Sequence, residues 1–397
     1  MNLKTNPIDT IILRLSGEIP IKSDPVRGKW EKIIVERVSK RLDEDEILWR
    51  EKGRIYIATK RPFRLLKKLK KIFGIATLSP AAKCEASIEA IKKKALEVAL
   101  YYIRKLAEKG RRVKSFAIVT KKVLAKDFGS TEVRYDVGAH IKKNLNLSVN
   151  LDYPDLPIHI DVRRDYAYIY VEILKAPGGL PIGVQERALV QWNGDKESIV
   201  ATWLMLKRGC PIILVYFDLC LSSELRKKII ESAKIMLKEW AEGTGELWIT
   251  PFHEIYKGVK NSISEEYRWI SLRWLMLQAS VVIAKKTHSQ CIVLGDKPKN
   301  GEKIMRVSNI LWTSNPMLHF PSALLSHNEV ENLYNFINND ELKIPIIRPE
   351  SICEELKMVK SKSIIPSLDE FLVVKKKLVS LEKILDSIVE RSEILRF

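Results

Sequence analysis

The sequence predicts an α/β protein made of two small α/β units followed by a larger unit with a parallel sheet. Three observations predict it. In the first 180 residues short apolar strands alternate closely with amphipathic helices; Ala176-Pro177-Gly178-Gly179-Leu180-Pro181 then interrupts the chain; beyond it, continuous apolar strands alternate with longer helices.

Thr10 to Leu15 reads as a strand, followed by the turn-like Ser16-Gly17-Glu18 and a helix from about Lys29 to Leu42. A strand over Arg54 to Thr59 and a lysine-rich helix over Phe63 to Phe73 complete the β-α-β-α alternation of a small ferredoxin-like unit. In Ser87 to Lys109 the apolar positions Ile88, Ile91, Ala95, Val98, Ala99, Tyr102, Ile103 and Leu106 fall at helical spacing, and Gly110 reads as the cap. A strand (Val113 to Thr120), a helix (about Thr131 to Asn144) and two strands (Pro157 to Arg163, Ala167 to Leu174) joined at Arg164-Asp165 form the second unit. The two prolines and two glycines of 176–181 mark a linker and a boundary.

Past that boundary the strands are Arg187 to Trp192, Pro211 to Phe217, Glu246 to Thr250 and Gln290 to Leu294. Helices fall at about Ser198 to Arg208, Ser222 to Glu242 and Glu266 to Lys286. Fully apolar strands between helices imply a parallel sheet covered on both faces, with ligands at the carboxyl ends of its strands. Ser367 to Phe397 reads as one final helix with Leu368, Leu372, Leu378, Leu381, Leu385, Ile388 and Ile394 on one side. Such a stripe packs into the chain's own core or joins two copies in a homodimer.

Composition narrows the function classes. No apolar run approaches the roughly 18 to 20 residues that cross a bilayer, and the opening MNLKTNPIDT has no apolar signal core, so the expected compartment is the cytoplasm and no membrane partner is expected. Cys84, Cys210, Cys220, Cys291 and Cys353 are scattered without C-x-x-C spacing and the six histidines form no ligand pair, so no metal site is expected. The formal charge of +19 is uneven: residues 1–180 hold 38 Lys and Arg against 22 Asp and Glu, whereas residues 181–397 hold 30 against 27. A thermophile's lysine- and glutamate-rich composition explains the abundance of charge but not its asymmetry. A polyanion-binding surface explains the asymmetry, and structured RNA is its natural partner. The candidate RNA contacts are Lys22, Arg27, Arg111, Arg112, Lys114, Arg134, Arg163, Arg164 and Lys175. Further basic clusters stand at Lys67, Lys68, Lys70 and Lys71 and at Lys92, Lys93 and Lys94.

The first strand past the boundary runs into Asn193-Gly194-Asp195-Lys196-Glu197-Ser198 and then a helix, the place of a nucleotide-binding loop. Phosphate binding there needs small residues, so that amides and the helix amino terminus can approach the anion. Asn193, Gly194, Lys196 and Ser198 are the candidate nucleotide contacts, while the Asp195 carboxylate would repel a pyrophosphate unless a cation intervened. An ordinary strand-to-helix turn with Glu197 and Ser198 in its first helical turn is the other reading.

Several runs, in this order and spacing, resemble the ThiI family of tRNA 4-thiouridine synthetases. They are Gly17-Glu18-Ile19-Pro20-Ile21-Lys22 with Trp30-Glu31-Lys32, Phe73-Gly74-Ile75 through Ser79-Pro80-Ala81, Asp136-Val137-Gly138-Ala139, Ala176 through Gly183, Trp203 through Gly209, and Pro251-Phe252-His253-Glu254-Ile255. The resemblance covers about residues 10 to 290. It implies a ferredoxin-like domain over 1–80, a tRNA-gripping THUMP domain over 81–176, a PP-loop ATP-pyrophosphatase-like domain over 177–366 and a last helix over 367–397. In that family ATP adenylates the C4 oxygen of a tRNA uridine, and a persulfide sulfur then displaces AMP. The family loop S-G-G-x-D-S appears here with only Gly194 and Ser198 retained, and Glu197 stands for its aspartate. Trp269 takes the place of the cysteine that follows Tyr-Arg, and the later glycine-rich segment is reduced to Leu294-Gly295-Asp296-Lys297-Pro298. The resemblance therefore implies a tRNA-binding, noncatalytic or divergent relative. The alternative is an active sulfurtransferase using ATP and Mg2+, with Glu197 as the carboxylate and sulfur arriving from an external donor or through Cys353.

Overall fold

The computed structural model describes residues 6–51, 53–123, 128–219, 222–295, 317–338, 342–347 and 368–397. The chain divides into two compact units, Met1–Leu180 and Pro181–Phe397. No helix among the described residues is long and apolar enough to cross a membrane.

Unit 1 is built on one nine-stranded sheet. Its first part is β1 (Thr10–Leu15), α1 (Asp24–Ser39), β2 (Ile47–Glu51), β3 (Arg54–Ala58), α2 (Pro62–Leu69) and β4 (Ile75–Glu85). Then come α3 (Ile88–Ala107), β5 (Ser115–Val123), α4 (Ser130–Leu145), β6 (Ser148–Val149), β7 (Leu156–Val162), β8 (Tyr166–Tyr170) and β9 (Leu174–Lys175). The strands lie in the order β2-β3-β1-β4-β8-β7-β5-β6, with β9 on β4. α1 starts earlier than the apolar pattern suggests because Pro25 sits in its first turn, where its missing N–H costs nothing. Sequence reading missed β4, whose Pro80 argues against a strand. Its first seven residues pair with β1 and its last five with β8, so the sheet runs unbroken past residue 80.

The helices α3 and α4 cover one face of this sheet through Ile91, Val98, Val137 and Ile141. On the other face Tyr56 of β3 stacks on Tyr168 of β8 with ring centroids 4.6 Å apart. Those strands are three places apart, about 14 Å in a flat sheet at a spacing of about 4.8 Å. The sheet must therefore curl until β3 and β8 meet side chain to side chain. In that fold Asp161 is fully buried and pairs with Arg54 and, at 3.3 Å, with Arg163.

Unit 2 contains β10 (Ala188–Gln191), α5 (Lys196–Lys207), β11 (Ile212–Asp218), α6 (Ser223–Glu239), β12 (Glu246–Pro251), α7 (His253–Ser262), α8 (Glu265–Thr287) and β13 (Cys291–Val293). It continues with β14 (Met317–His319), α9 (His327–Ile337), α10 (Leu368–Glu382), α11 (Leu385–Glu390) and β15 (Glu393–Arg396). The sheet order is β14-β13-β10-β11-β12-β15, parallel except for β15, which runs antiparallel to β12. The expectation of one terminal helix is thus corrected. The tail breaks after Glu382, forms α11, and ends as an edge strand with Ile394 opposite Trp248. The unpaired backbone groups of the β12 edge supply the reason: a strand satisfies them and a helix cannot. Phe371, Val374, Leu378, Leu385 and Ile388 are buried in the core with residues of α7 and α8, so the tail's apolar stripe packs within its own unit, whereas Leu372 lies exposed.

Candidate functional site

The loop 193–198 leaves the carboxyl end of β10, where a parallel sheet presents ligands to a helix amino terminus. Trp192 anchors it: the indole is fully buried and its N–H donates to the Ile229 carbonyl and the Ser232 hydroxyl of α6, each at 3.3 Å. Gly194 turns at φ +72°, and a Cβ there would lie 2.9 Å from Ile347 Cδ1 and 3.0 Å from Ser232 Oγ. The Ile347 amide donates to the Gly194 carbonyl at 3.0 Å. The segment before residue 348 therefore lies directly against the loop.

Asp195 caps α5. Its carboxylate accepts the Ser198 amide at 2.7 Å, and the Ser198 hydroxyl donates to the Asp195 carbonyl at 3.0 Å. Lys196 turns to α9, where its ammonium contacts both carboxylate oxygens of Glu331 at 2.7 and 2.9 Å and lies 5.2 Å from the centre of the Tyr334 ring. Gly295 approaches so closely that a Cβ on it would stand 2.7 Å from the Ser198 nitrogen and Cα. Glu197 is half-buried in the first turn of α5.

Tested against a nucleotide triphosphate, these residues do not fit as arranged. A phosphate at a helix amino terminus uses first-turn amides and a nearby cation. Here a carboxylate holds the Ser198 amide, a second carboxylate holds the lysine, and an isoleucine fills the concave side of the glycine. Asn193, Gly194, Lys196 and Ser198 do come together in one loop, but Gly194, Lys196 and Ser198 face groups of the chain itself. Sequence reading missed Ile347 and Glu331, more than 130 residues further on, because neither stands in any recognisable motif.

Trp269 and the described cysteines offer no reactive sulfur at neutral pH. Trp269 sits on α8, 40% exposed, with the Arg273 guanidinium 5.7 Å from its ring centre. Burial pushes the Cys84 thiol up to about 12 and Cys291 to about 11, and raises Cys210 as well, so none of these three is a thiolate at neutral pH. Cys353 and residues 296–298 lie outside the described residues.

The basic candidates of unit 1 divide by exposure. Lys22, Arg111, Arg112, Lys114, Arg134, Arg164 and Lys175 are exposed, and Arg27 is half-buried beside Asp24 at 2.6 Å. Arg163 is a correction: it is 3% exposed and is held by Asp161, which leaves it inside the curled sheet and away from any phosphate outside. Alternation along the strand explains this, since Asp161 and Arg163 share the inner side. Of the other clusters, Lys68, Lys92 and Lys94 pair with Asp43, Glu89 and Glu97.

Comparison with known proteins gives a consistent result. Family models match three successive stretches: the ThiI ferredoxin-like domain at residues 10–79, the THUMP domain at 85–172, and the thiamine biosynthesis protein (ThiI) model at 183–299. A probable tRNA sulfurtransferase of Sulfurisphaera tokodaii is 29% identical over 395 residues, covering 95% of this chain and 94% of its own length. One from Brevibacillus brevis is 28% identical over 354 residues, covering 87% and 86%. Among solved structures, a 4-thiouridine synthetase–RNA complex with bound ATP superposes with a TM-score of 0.78 at 23% identity, over 98% of this chain and 99% of that one. PH1313 from Pyrococcus horikoshii superposes with a TM-score of 0.61 at 24% identity, over 84% and 100%. These structures share the fold: ferredoxin-like and THUMP domains followed by a PP-loop-type domain with a parallel sheet.

Proposed function

This chain belongs to the ThiI-like family of tRNA-modifying proteins, and on that premise we propose that it binds tRNA through unit 1 without turning over ATP in unit 2. The observation that carries the second half is the Asp195 carboxylate on the Ser198 amide, which places a negative charge where the family's chemistry requires a phosphate. The diversion of Lys196 to Glu331 and the presence of Trp269 support the same reading. Groups that act together in catalysis are not independently dispensable, so several such changes weigh more than their sum. The first half rests on the excess of basic residues in 1–180 and on the THUMP match.

Filter binding of the full chain to tRNA, an unrelated hairpin and duplex DNA across a salt series tests the RNA half. The expected order is tRNA well ahead of the others; equal retention of all three would reduce the binding to charge alone. Calorimetry with millimolar ATP and Mg2+, with and without tRNA, is expected to give no heat of binding. Saturable ATP binding would overturn the reading of the loop as closed to nucleotide, and loss of 4-thiouridine from the tRNA of cells lacking the protein would establish instead an active sulfurtransferase, for which Glu197 is the candidate carboxylate.

A further inference from the structure

Among the exposed apolar side chains of unit 1, three come from one short segment: Val149 at 51%, Leu151 at 76% and Tyr153 at 87% exposure. The segment is not loose. At its start the Ser148 amide donates to the Lys114 carbonyl at 3.1 Å and the Asn150 amide to the Phe116 carbonyl at 3.0 Å. At its end Asp155 accepts the amides of Lys114 and Ser115, both at 2.9 Å, while its own amide donates to the Ser115 hydroxyl at 3.1 Å. Between them the Asn150 side chain accepts the amides of Asp152 and Tyr153 and donates to the Tyr153 carbonyl at 3.0 Å. Pro154 restricts the backbone of Tyr153 further. The loop's own hydrogen bonds thus hold the Tyr153 backbone in place while its side chain stands in water.

Both clamps close on residues 114–116, directly after Arg111 and Arg112, and Arg111, Arg112 and Lys114 are all exposed. An exposed aromatic side chain on a held backbone, in a loop clamped to the residues that follow a basic run, matches the chemistry of unpaired nucleotides, whose bases stack while their phosphates take the cations. We propose that Tyr153 is a base-stacking platform for unpaired nucleotides of the bound RNA, with Arg111, Arg112 and Lys114 holding the adjoining phosphates. The inference rests on the tRNA-binding reading and adds to it a site that recognises single-stranded nucleotides apart from the duplex. Because Asn150 and Asp155 set the loop in advance, little ordering is left for the moment of binding.

The test compares full-length wild type, Tyr153→Ala and Tyr153→Trp for binding to tRNA and to a blunt, fully paired RNA duplex at one salt concentration. Tyr153→Ala is expected to weaken tRNA binding by about tenfold, the scale of one lost stacked base, and to leave duplex binding unchanged. Tyr153→Trp is expected to retain tRNA binding. With Tyr153 so exposed, the circular dichroism and melting of both variants should match wild type, which separates a binding loss from unfolding. Unchanged tRNA affinity in Tyr153→Ala, or equal weakening on tRNA and duplex, would overturn the platform while leaving the tRNA-binding reading intact. Wild type that ignores tRNA would remove that reading and the platform with it. A Tyr153→Ala variant with an altered number of subunits per assembly and unaltered RNA affinity would show these side chains to form a protein interface and would also overturn the proposal.

Discussion

Asp195 and Gly194 show how much one side chain and one missing side chain decide at the head of α5. The aspartate is an effective helix cap, and replacing it by alanine is expected to cost about 1 kcal/mol in chemical denaturation. Gly194→Ala should cost more, about 1 to 3 kcal/mol, because φ is +72° and the new Cβ would stand 2.9 Å from Ile347. In an Ile347→Ala background the share of the steric cost owed to Ile347 should vanish, while the Ser232 contact at 3.0 Å and the backbone part remain, so a double-mutant cycle reads the Ile347 contact directly. Full additivity in that cycle would mean that Ile347 does not sit on the loop. The glycine itself was legible in the sequence as a loop residue. Its neighbour was not, since nothing local ties position 347 to position 194.

At the scale of elements, the segment around β6 and the tail strand β15 make opposite demands on their surroundings. The amides of Lys114 and Ser115 and the Ser115 hydroxyl hold the Asp155 carboxyl below its ordinary 3.8. Its stabilisation of the loop is therefore complete above that pH and is lost as the pH falls through the depressed value. Protection factors at the Lys114 and Ser115 amides, taken relative to the intrinsic exchange rate at each pH, should fall there in wild type, and in Asp155→Asn they should already be low at neutral pH; protection that ignores both pH and substitution would contradict the clamp. For the tail, Leu378→Ala should destabilise unit 2 by about 2 to 5 kcal/mol, the usual cost of emptying a fully buried leucine site. Equilibrium unfolding measures it. An exposed position such as Leu372 should tolerate alanine within about half a kcal/mol.

For the whole molecule, the uneven charge makes a quantitative claim. If unit 1 tracks the RNA backbone, replacing Arg111, Arg112 or Arg164 by alanine should flatten the dependence of log affinity on log salt by roughly one unit for each phosphate contact removed from a duplex region. Replacing exposed lysines of unit 2, such as Lys227 or Lys285, should leave the slope as it is. Equal effects from both units would mean that net charge, and no particular surface, carries the binding. Arg163 belongs to neither class, because it is buried against Asp161; its replacement should lower stability before it alters any salt dependence.

The sequence alone determined the elements with strong periodicity, the boundary near residue 180, the asymmetry of charge and the position of the loop after β10. Each is a local property: spacing of apolar residues, turn chemistry, or a count along the chain. Tertiary structure decided the rest. Pairing on both edges made a strand of β4 despite Pro80, and the open edge of β12 drew the tail out of helix into β15. Curling of the first sheet put Asp161 within reach of Arg54, and Glu331 and Ile347 closed on the loop after β10. These outcomes depend on contacts between residues far apart in sequence, which no periodicity encodes and which only the satisfaction of buried polar groups and exposed strand edges selects.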